Sequence, residues 1–247
     1  MGIPISIAAR LKKVLDVIGK RSEEQIRVCS LGYPDILFGP EEAKQMGWEL
    51  DHLEESQHAS EIREWHGLPD NYPISSAESF FVSLGAKLEV VDIIKHRGVE
   101  IIADLGIKDS LLSHANTFDF VFDNGTLEHC FHVGQAFINA ASLVKTGGYI
   151  YHNNPYNIFN HGFWGMNPTL YGDFYPSIGF EIIYMKLQNC HDPSHVVRIK
   201  DGYSKREYML KTALGDRAGE EYALQCLAKK VEQKTFEGLI QSKYLSK

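Results

Sequence analysis

The chain has 247 residues, 44% of them hydrophobic and 23% charged, with a formal net charge of −7 and a pI near 5.9. That length and composition suit a folded globular protein with a full core and argue against disorder. The acidic balance offers no basic stripe for phosphate backbones or anionic bilayers, so neither nucleic acid nor a membrane is expected as a partner.

Cys29, Cys130, Cys190 and Cys226 are widely spaced and form no CxxC pair, so free thiols in a reducing compartment are expected rather than a zinc knuckle or a disulfide framework. The Ile-rich start soon meets Arg10, Lys12 and Lys13, with no apolar run of signal-peptide or bilayer-spanning length, and the chain reads as cytoplasmic and soluble.

From Ile5 to Arg21 the spacing of Ile7, Leu11, Val14, Leu15 and Ile18 predicts an amphipathic helix. Ile26–Gly32 reads as a buried strand ending at a glycine, followed by Tyr33-Pro34-Asp35. A dinucleotide loop needs backbone N–H groups close to a pyrophosphate; Pro34 has none to give and Tyr33 blocks the approach, so NAD, FAD and nucleoside triphosphates are disfavoured. Residues 38–72 are polar, with Trp48 and Trp65, and form a long insertion that is either a lid or a solvated embellishment; a short helix is expected over 56–65.

Pro73-Ile74-Ser75-Ser76-Ala77-Glu78 opens a helix with a serine cap and an acid in its first turn, Phe80, Phe81 and Leu84 give it a buried face, and Gly85 ends it. Lys87–Asp92 and Glu100–Leu105 read as two strands that each carry an aspartate at the end, Asp92 and Asp104, so both carboxylates should stand at one edge of a parallel sheet. Helix capping is the ordinary use of either one alone. Phe118–Asp123 is an aromatic and β-branched strand that breaks into Asn124-Gly125-Thr126 and then Leu127-Glu128-His129. A helix over 133–144, a glycine turn at 145–148 and a strand at 149–152 follow. The stretch from Asn153 to Pro176 reads as a loop dense in Asn, Gly, Pro and aromatics, 180–185 and 196–199 as strands, and 204–231 as a helical packing or dimer element. Strand–helix alternation predicts a doubly wound, mainly parallel α/β sheet in a single domain over 1–247, with the 38–72 insertion and a C-terminal helical extension over 204–247.

This order of elements, with Asp123-Asn124-x-Thr126-Leu127-Glu128-His129 after one strand and Lys145-x-Gly147-Gly148 before the next, resembles the class I S-adenosylmethionine-dependent methyltransferases. Gly-Thr-Leu-Glu-His-Cys together with Asn160-His161-Gly162-Phe163 is similar to a subgroup associated with bacterial surface-polysaccharide and secondary-metabolite clusters. The resemblance covers about residues 26–200 and implies a Rossmann-like sheet of seven strands with S-adenosylmethionine as cofactor. It implies Gly32 at the methionine part, Asp92 at the ribose, Asp104 and Leu105 at the adenine, and Asp123 and Asn124 at the amino-acid end, with Tyr33, Ile93 and Gly125 beside them. Two departures stand out: Gly32-Tyr33-Pro34-Asp35 lacks the family's glycine-rich loop, and Gly32 and Asp92 are about 60 residues apart where roughly 20 is usual for a glycine turn and its ribose acid. Either the pocket is rebuilt with Tyr33 and the insertion, which the retained acids favour, or cofactor binding is lost.

The implied activity is methyl transfer to a hydroxyl of a small polar or carbohydrate-like molecule, with a non-catalytic binding subunit as the alternative. His129 is the first candidate base because an imidazole titrates near working pH, with His161 and Glu128 beside it. Tyr156, Asn160 and Trp164 are candidates for the acceptor pocket. His129 and His132, three apart, could share a face with Glu128 and His152 nearby, but such a pair is more often simply structural and no metal is assigned.

Overall fold

The computed structural model describes residues 2–20, 24–50, 53–98, 100–199 and 214–245. The chain divides into two compact units, residues 1–103 with 118–120 and residues 104–117 with 121–247.

In the first unit, β1 (Gly2–Pro4) leads into α1 (Ile5–Gly19), whose buried residues are the expected stripe of Ile7, Leu11, Val14, Leu15 and Ile18 with Ala8 added. There follow β2 (Ile26–Leu31), β3 (Asp35–Leu37), α2 (Pro40–Gln45), α3 (Ala59–His66), α4 (Ala77–Ser83), β4 (Ala86–Asp92) and β5 (Glu100–Ile102). The first half of β6 (Phe118–Asp123) completes the unit. β2, β4 and β5 are parallel, and the strand order is β5-β4-β2-β6. β1 and β3 form a separate parallel pair. The 38–72 insertion carries α2 and α3, and α3 places Ala59 and Ile62 with Ile74 in a small core packed by Leu37, Leu68 and Tyr72.

The second unit takes the rest of β6, then α5 (Val133–Leu143), β7 (Val144–Pro155), α6 (Pro168–Ser177), β8 (Phe180–Asn189), β9 (Val196–Arg198) and β10 (Tyr222–Lys230), with strand order β6-β7-β10-β8-β9. β10 runs antiparallel to both β7 and β8. The sheet therefore has eight strands where seven are expected. The additional one is Tyr222–Lys230, placed by sequence pattern in a C-terminal helical extension. Tyr222, Leu224, Cys226 and Ala228 are fully buried, and so are Gln225 and Lys230 nearly, because the strand is covered on both faces. A central strand shows no alternation, and its Ala, Leu, Gln and Lys are good helix formers that tertiary pairing overrides. Residues 204–213 of that expected helix lie outside the described residues. The expected loop over 153–176 instead carries α6 in its second half, started by Asn167, whose side chain accepts from the N–H of Thr169. Among the described residues no helix is long and apolar enough to cross a membrane.

Candidate active site

In the second unit, β6 ends in Asp123, which is wholly buried. Its Oδ1 accepts from the N–H groups of Thr126 at 2.9 Å and Leu127 at 3.3 Å, closing the turn that starts the single 3₁₀ turn Leu127–His129. Gly125 sits in this turn at φ +98, a conformation that favours glycine. Asp123 Oδ2 accepts from His152 Nδ1 at 2.9 Å and Asn154 Nδ2 at 2.7 Å. His152 and Asn154 are alternate residues of β7 and so share one face of the strand.

Each member of this network is held by another. His152 gives its Nδ1 proton to Asp123, so Nε2 is left to accept from the Tyr175 hydroxyl, and the ring stacks on Phe137 at 5.4 Å. Tyr171 donates to Asn154 Oδ1 at 2.7 Å, which fixes the amide and sends its two N–H bonds to Asp123 and to Glu128 Oε2, the latter at 2.9 Å. Asp123, expected to face a ligand, thus has both oxygens engaged inside the protein and serves to position its neighbours. Asn124, also expected at a ligand, is buried and accepts from Asn153 Nδ2 at 2.8 Å.

Glu128 is wholly buried as well, and among the described residues its Oε1 has no hydrogen-bond partner. That oxygen is turned toward His161 Nε2 at 3.4 Å and His129 Nε2 at 4.0 Å. Both imidazoles are about half exposed, with ring centroids 5.4 Å apart. Burial, and then the nearby charge of Asp123, pushes the Glu128 carboxyl up to about 8. Partial burial and the neighbouring His161 move His129 down from its ordinary value. At neutral pH the cluster therefore holds a protonated acid beside a neutral imidazole, a pairing able to accept or deliver a proton. Cys130, next in the chain, is pushed up to about 12 by burial and then by Asp123, so it is a neutral thiol and no nucleophile.

The loop that carries His161 is seated on Glu128. Phe163 N–H donates to the Glu128 carbonyl at 2.8 Å, and Trp164 Nε1 donates to the Cys130 carbonyl at 3.1 Å. Gly162 has φ +73, and a Cβ there would lie 2.9 Å from the Glu128 carbonyl oxygen, so glycine is required by both conformation and space. Phe131 meets Phe163 edge-on at 6.0 Å and Trp164 at 6.4 Å, leaving an exposed aromatic rim beside the histidines. Of the residues expected at the acceptor, Trp164 is in this rim; Asn160 is exposed at φ +53, and Tyr156 is half-buried with its N–H bonded to the Tyr222 carbonyl. His132, paired with His129 by spacing alone, instead packs against Phe131, and His161 takes its place in the cluster. Asp104, in the same unit, closes its own turn by accepting from Gly106 N–H at 2.7 Å, and the Leu105 carbonyl accepts from Asn139.

In the first unit, Leu31 is in register with Val91, and Gly32 N–H donates to the Val91 carbonyl at 2.8 Å. Gly32, at φ +79, and Asp92 therefore stand at the carboxyl ends of adjacent parallel strands in spite of the long insertion between them. Asp92 Oδ1 accepts from Ile94 N–H at 3.3 Å; among the described residues Oδ2 has no hydrogen-bond partner, and Ile93 beside it is 62% exposed. The odd loop after Gly32 is pinned: Tyr33 donates to Glu78 at 2.9 Å and lies under the Arg97 guanidinium. Buried Asp35 meets His66 of the insertion at 3.0 Å.

Sequence reasoning named His152 without its role and missed Asn154, Tyr171 and Tyr175. The available signal was Tyr151-His152-Asn153-Asn154, polar residues running on from an apolar strand.

Searches with the sequence find no matching family model and no matching curated relative. Among solved structures, the fold is similar to an S-adenosylmethionine-dependent methyltransferase from Archaeoglobus fulgidus (TM-score 0.42, 13% identity, 89% of this chain and 94% of that one). It is similar also to 1,6-didemethyltoxoflavin-N1-methyltransferase from Burkholderia thailandensis, solved with 1,6-didemethyltoxoflavin and S-adenosylhomocysteine (TM-score 0.38, 12% identity, 91% and 78%). A third is the [4+2]-cyclase SpnF (TM-score 0.32, 14% identity, 89% and 81%). Likenesses at these scores stand beside the geometry above and add nothing to it.

Proposed function

We propose that this chain is an S-adenosylmethionine-dependent methyltransferase acting on a hydroxyl of a small polar or carbohydrate-like molecule. The observation that carries the reading is the pairing of Gly32 and Asp92 at the ends of adjacent parallel strands, with one Asp92 oxygen lacking a partner among the described residues and an exposed isoleucine next to it. The carboxyl ends of strands are where open α/β sheets take their ligands. A carboxylate there suits ribose hydroxyls, and an exposed apolar side chain suits a base. Pro34 removes an N–H that a phosphate cradle needs, which favours a phosphate-free nucleoside.

When bound, S-adenosylmethionine supplies a methyl group on a sulfonium. Asp92 would hold the ribose, Ile93 the base, and Asp104 the exocyclic amine. The chain's own task is to align the acceptor and take its proton. His129, kept neutral by partial burial and by His161, accepts that proton, with the protonated Glu128 carboxyl 4.0 Å from its Nε2. Tyr156, Asn160 and Trp164 would bound the acceptor.

Calorimetry with S-adenosylhomocysteine tests this. Saturable binding that Asp92→Ala weakens about tenfold or more supports it; no heat and no thermal shift at high micromolar ligand would sink it and favour a non-catalytic binding subunit.

A further inference from the structure

We propose that Glu128, His129 and His161 bind a divalent first-row transition-metal ion, with Zn²⁺ as the type case. The inference rests on these side chains and their supports alone, not on methyl transfer.

Each of the three offers one ligand atom, and the atoms all lie within 4.8 Å of one another. Ligands roughly 2.0–2.2 Å from a tetrahedral ion are separated by about 3.3–3.6 Å. Glu128 Oε1 and His161 Nε2 already stand at 3.4 Å, and the 4.0 Å to His129 Nε2 closes by a small turn of a half-exposed ring. Two imidazoles and one carboxylate suit zinc, iron or nickel better than magnesium or calcium.

The buried oxygen is the second observation. Glu128 Oε1 is wholly enclosed, accepts no hydrogen bond among the described residues, and points at the two histidines. Such an oxygen is costly unless something fills the gap in front of it. Asp123 and Glu128 share the amide nitrogen of Asn154, and among the described residues neither is within ion-pair reach of a lysine or arginine. A divalent ion supplies the positive charge that a Glu128 carboxylate, buried beside Asp123, needs in order to act as a ligand.

The surroundings are built as a ligand's supports are. Asn154 fixes Glu128 Oε2 and so aims Oε1, and Asn154 is itself held by Asp123 and Tyr171. Gly125 leaves room at the carboxylate: a Cβ there would lie 3.2 Å from Oε1. Three protein ligands leave a coordination position for water or an oxygen ligand. With the ion bound, His129 gives up the proton-accepting role for that of a ligand.

The test is a Zn²⁺ titration of the chelator-stripped full chain by calorimetry, repeated with Co²⁺ by visible absorption, both without cofactor. One ion per chain is expected, bound at micromolar or tighter affinity. His161→Ala and the His129→Ala/His161→Ala pair, which alter exposed rings, should weaken it by about 100-fold or more. Glu128→Gln should do the same, while His191→Ala, at an exposed histidine beside Glu221, should leave it unchanged. The proposal is overturned by the absence of saturable binding below about 1 mM, or by a loss of less than tenfold in the double variant. Because S-adenosylhomocysteine binding is measured separately, the site and the methyltransferase reading fail independently.

Discussion

Replacing Asn154 by leucine tests the whole polar core in one substitution. The amide makes three buried hydrogen bonds, to Asp123 Oδ2 at 2.7 Å, to Glu128 Oε2 at 2.9 Å, and from the Tyr171 hydroxyl at 2.7 Å. Leucine has the same branching but makes none of them. Asp123 keeps its other donors, but Glu128 is left with neither oxygen hydrogen-bonded and Tyr171 loses its acceptor. An orphaned buried polar group costs about 1–3 kcal/mol, and more when charged, against which the extra apolar burial of leucine returns about 1 kcal/mol. The net expectation is a loss of about 1–5 kcal/mol, a large part of the roughly 5–15 kcal/mol that holds a domain folded. Urea denaturation at pH 7 in a chelating buffer reads it as a lower midpoint at unchanged slope. A loss under about 1 kcal/mol would refute the claim that Asn154 orders the site.

Stability should depend on pH through Glu128: its folded-state value of about 8 lies above the ordinary 4.5, so the folded chain keeps a proton that the unfolded chain releases. Stability should therefore fall as pH rises from about 4.5 to about 8, and Glu128→Gln should flatten that part of the melting-temperature profile; a wild-type profile that rises there contradicts the assignment. Gly162→Ala should cost about 1–3 kcal/mol, since it combines a left-handed φ with a clash against the Glu128 carbonyl, and an unchanged melting temperature would show that the loop is not seated there. His66→Ala, which strips buried Asp35 of its insertion partner, should lower stability by about 1 kcal/mol and weaken S-adenosylhomocysteine binding; unchanged affinity would separate the insertion from the cofactor loop. His129→Ala, assayed in chelator with an identified acceptor, should lower turnover by roughly 10²-fold and spare cofactor affinity, and near-normal turnover would rule out the base role.

Much of this was legible because β6 writes its fate plainly: Phe118–Phe122 is a buried strand, and Asp123 with Gly125 can only break it. The acids ending β4 and following β5 were legible for the same reason. β10 was not, since a strand buried on both faces carries no period and its residues favour helix in isolation. The closeness of Gly32 to Asp92 was hidden by the insertion, whose α3 has a small core of its own. The Asn154, Tyr171 and Tyr175 network was hidden because hydrogen-bond partners on separate elements leave no mark in local spacing. His161 was named, but its convergence with Glu128 depends on a glycine's left-handed turn at Gly162.

Strand β6 has a consequence for how the chain comes to be folded. Its first three residues belong to one unit and the rest to the other. As the chain is synthesised, residues 1–103 emerge about fifteen residues ahead of the strand that completes their sheet. Until Asp119 arrives, the Arg27 N–H it will accept from at 2.8 Å has no such partner, and β2 is an open edge. No single cut separates the units, so a fragment ending near Ala103 should expose that edge and associate with itself. The contact between β2 and β6 spans 92 residues, which makes its formation a late and slow event on the route to the native state.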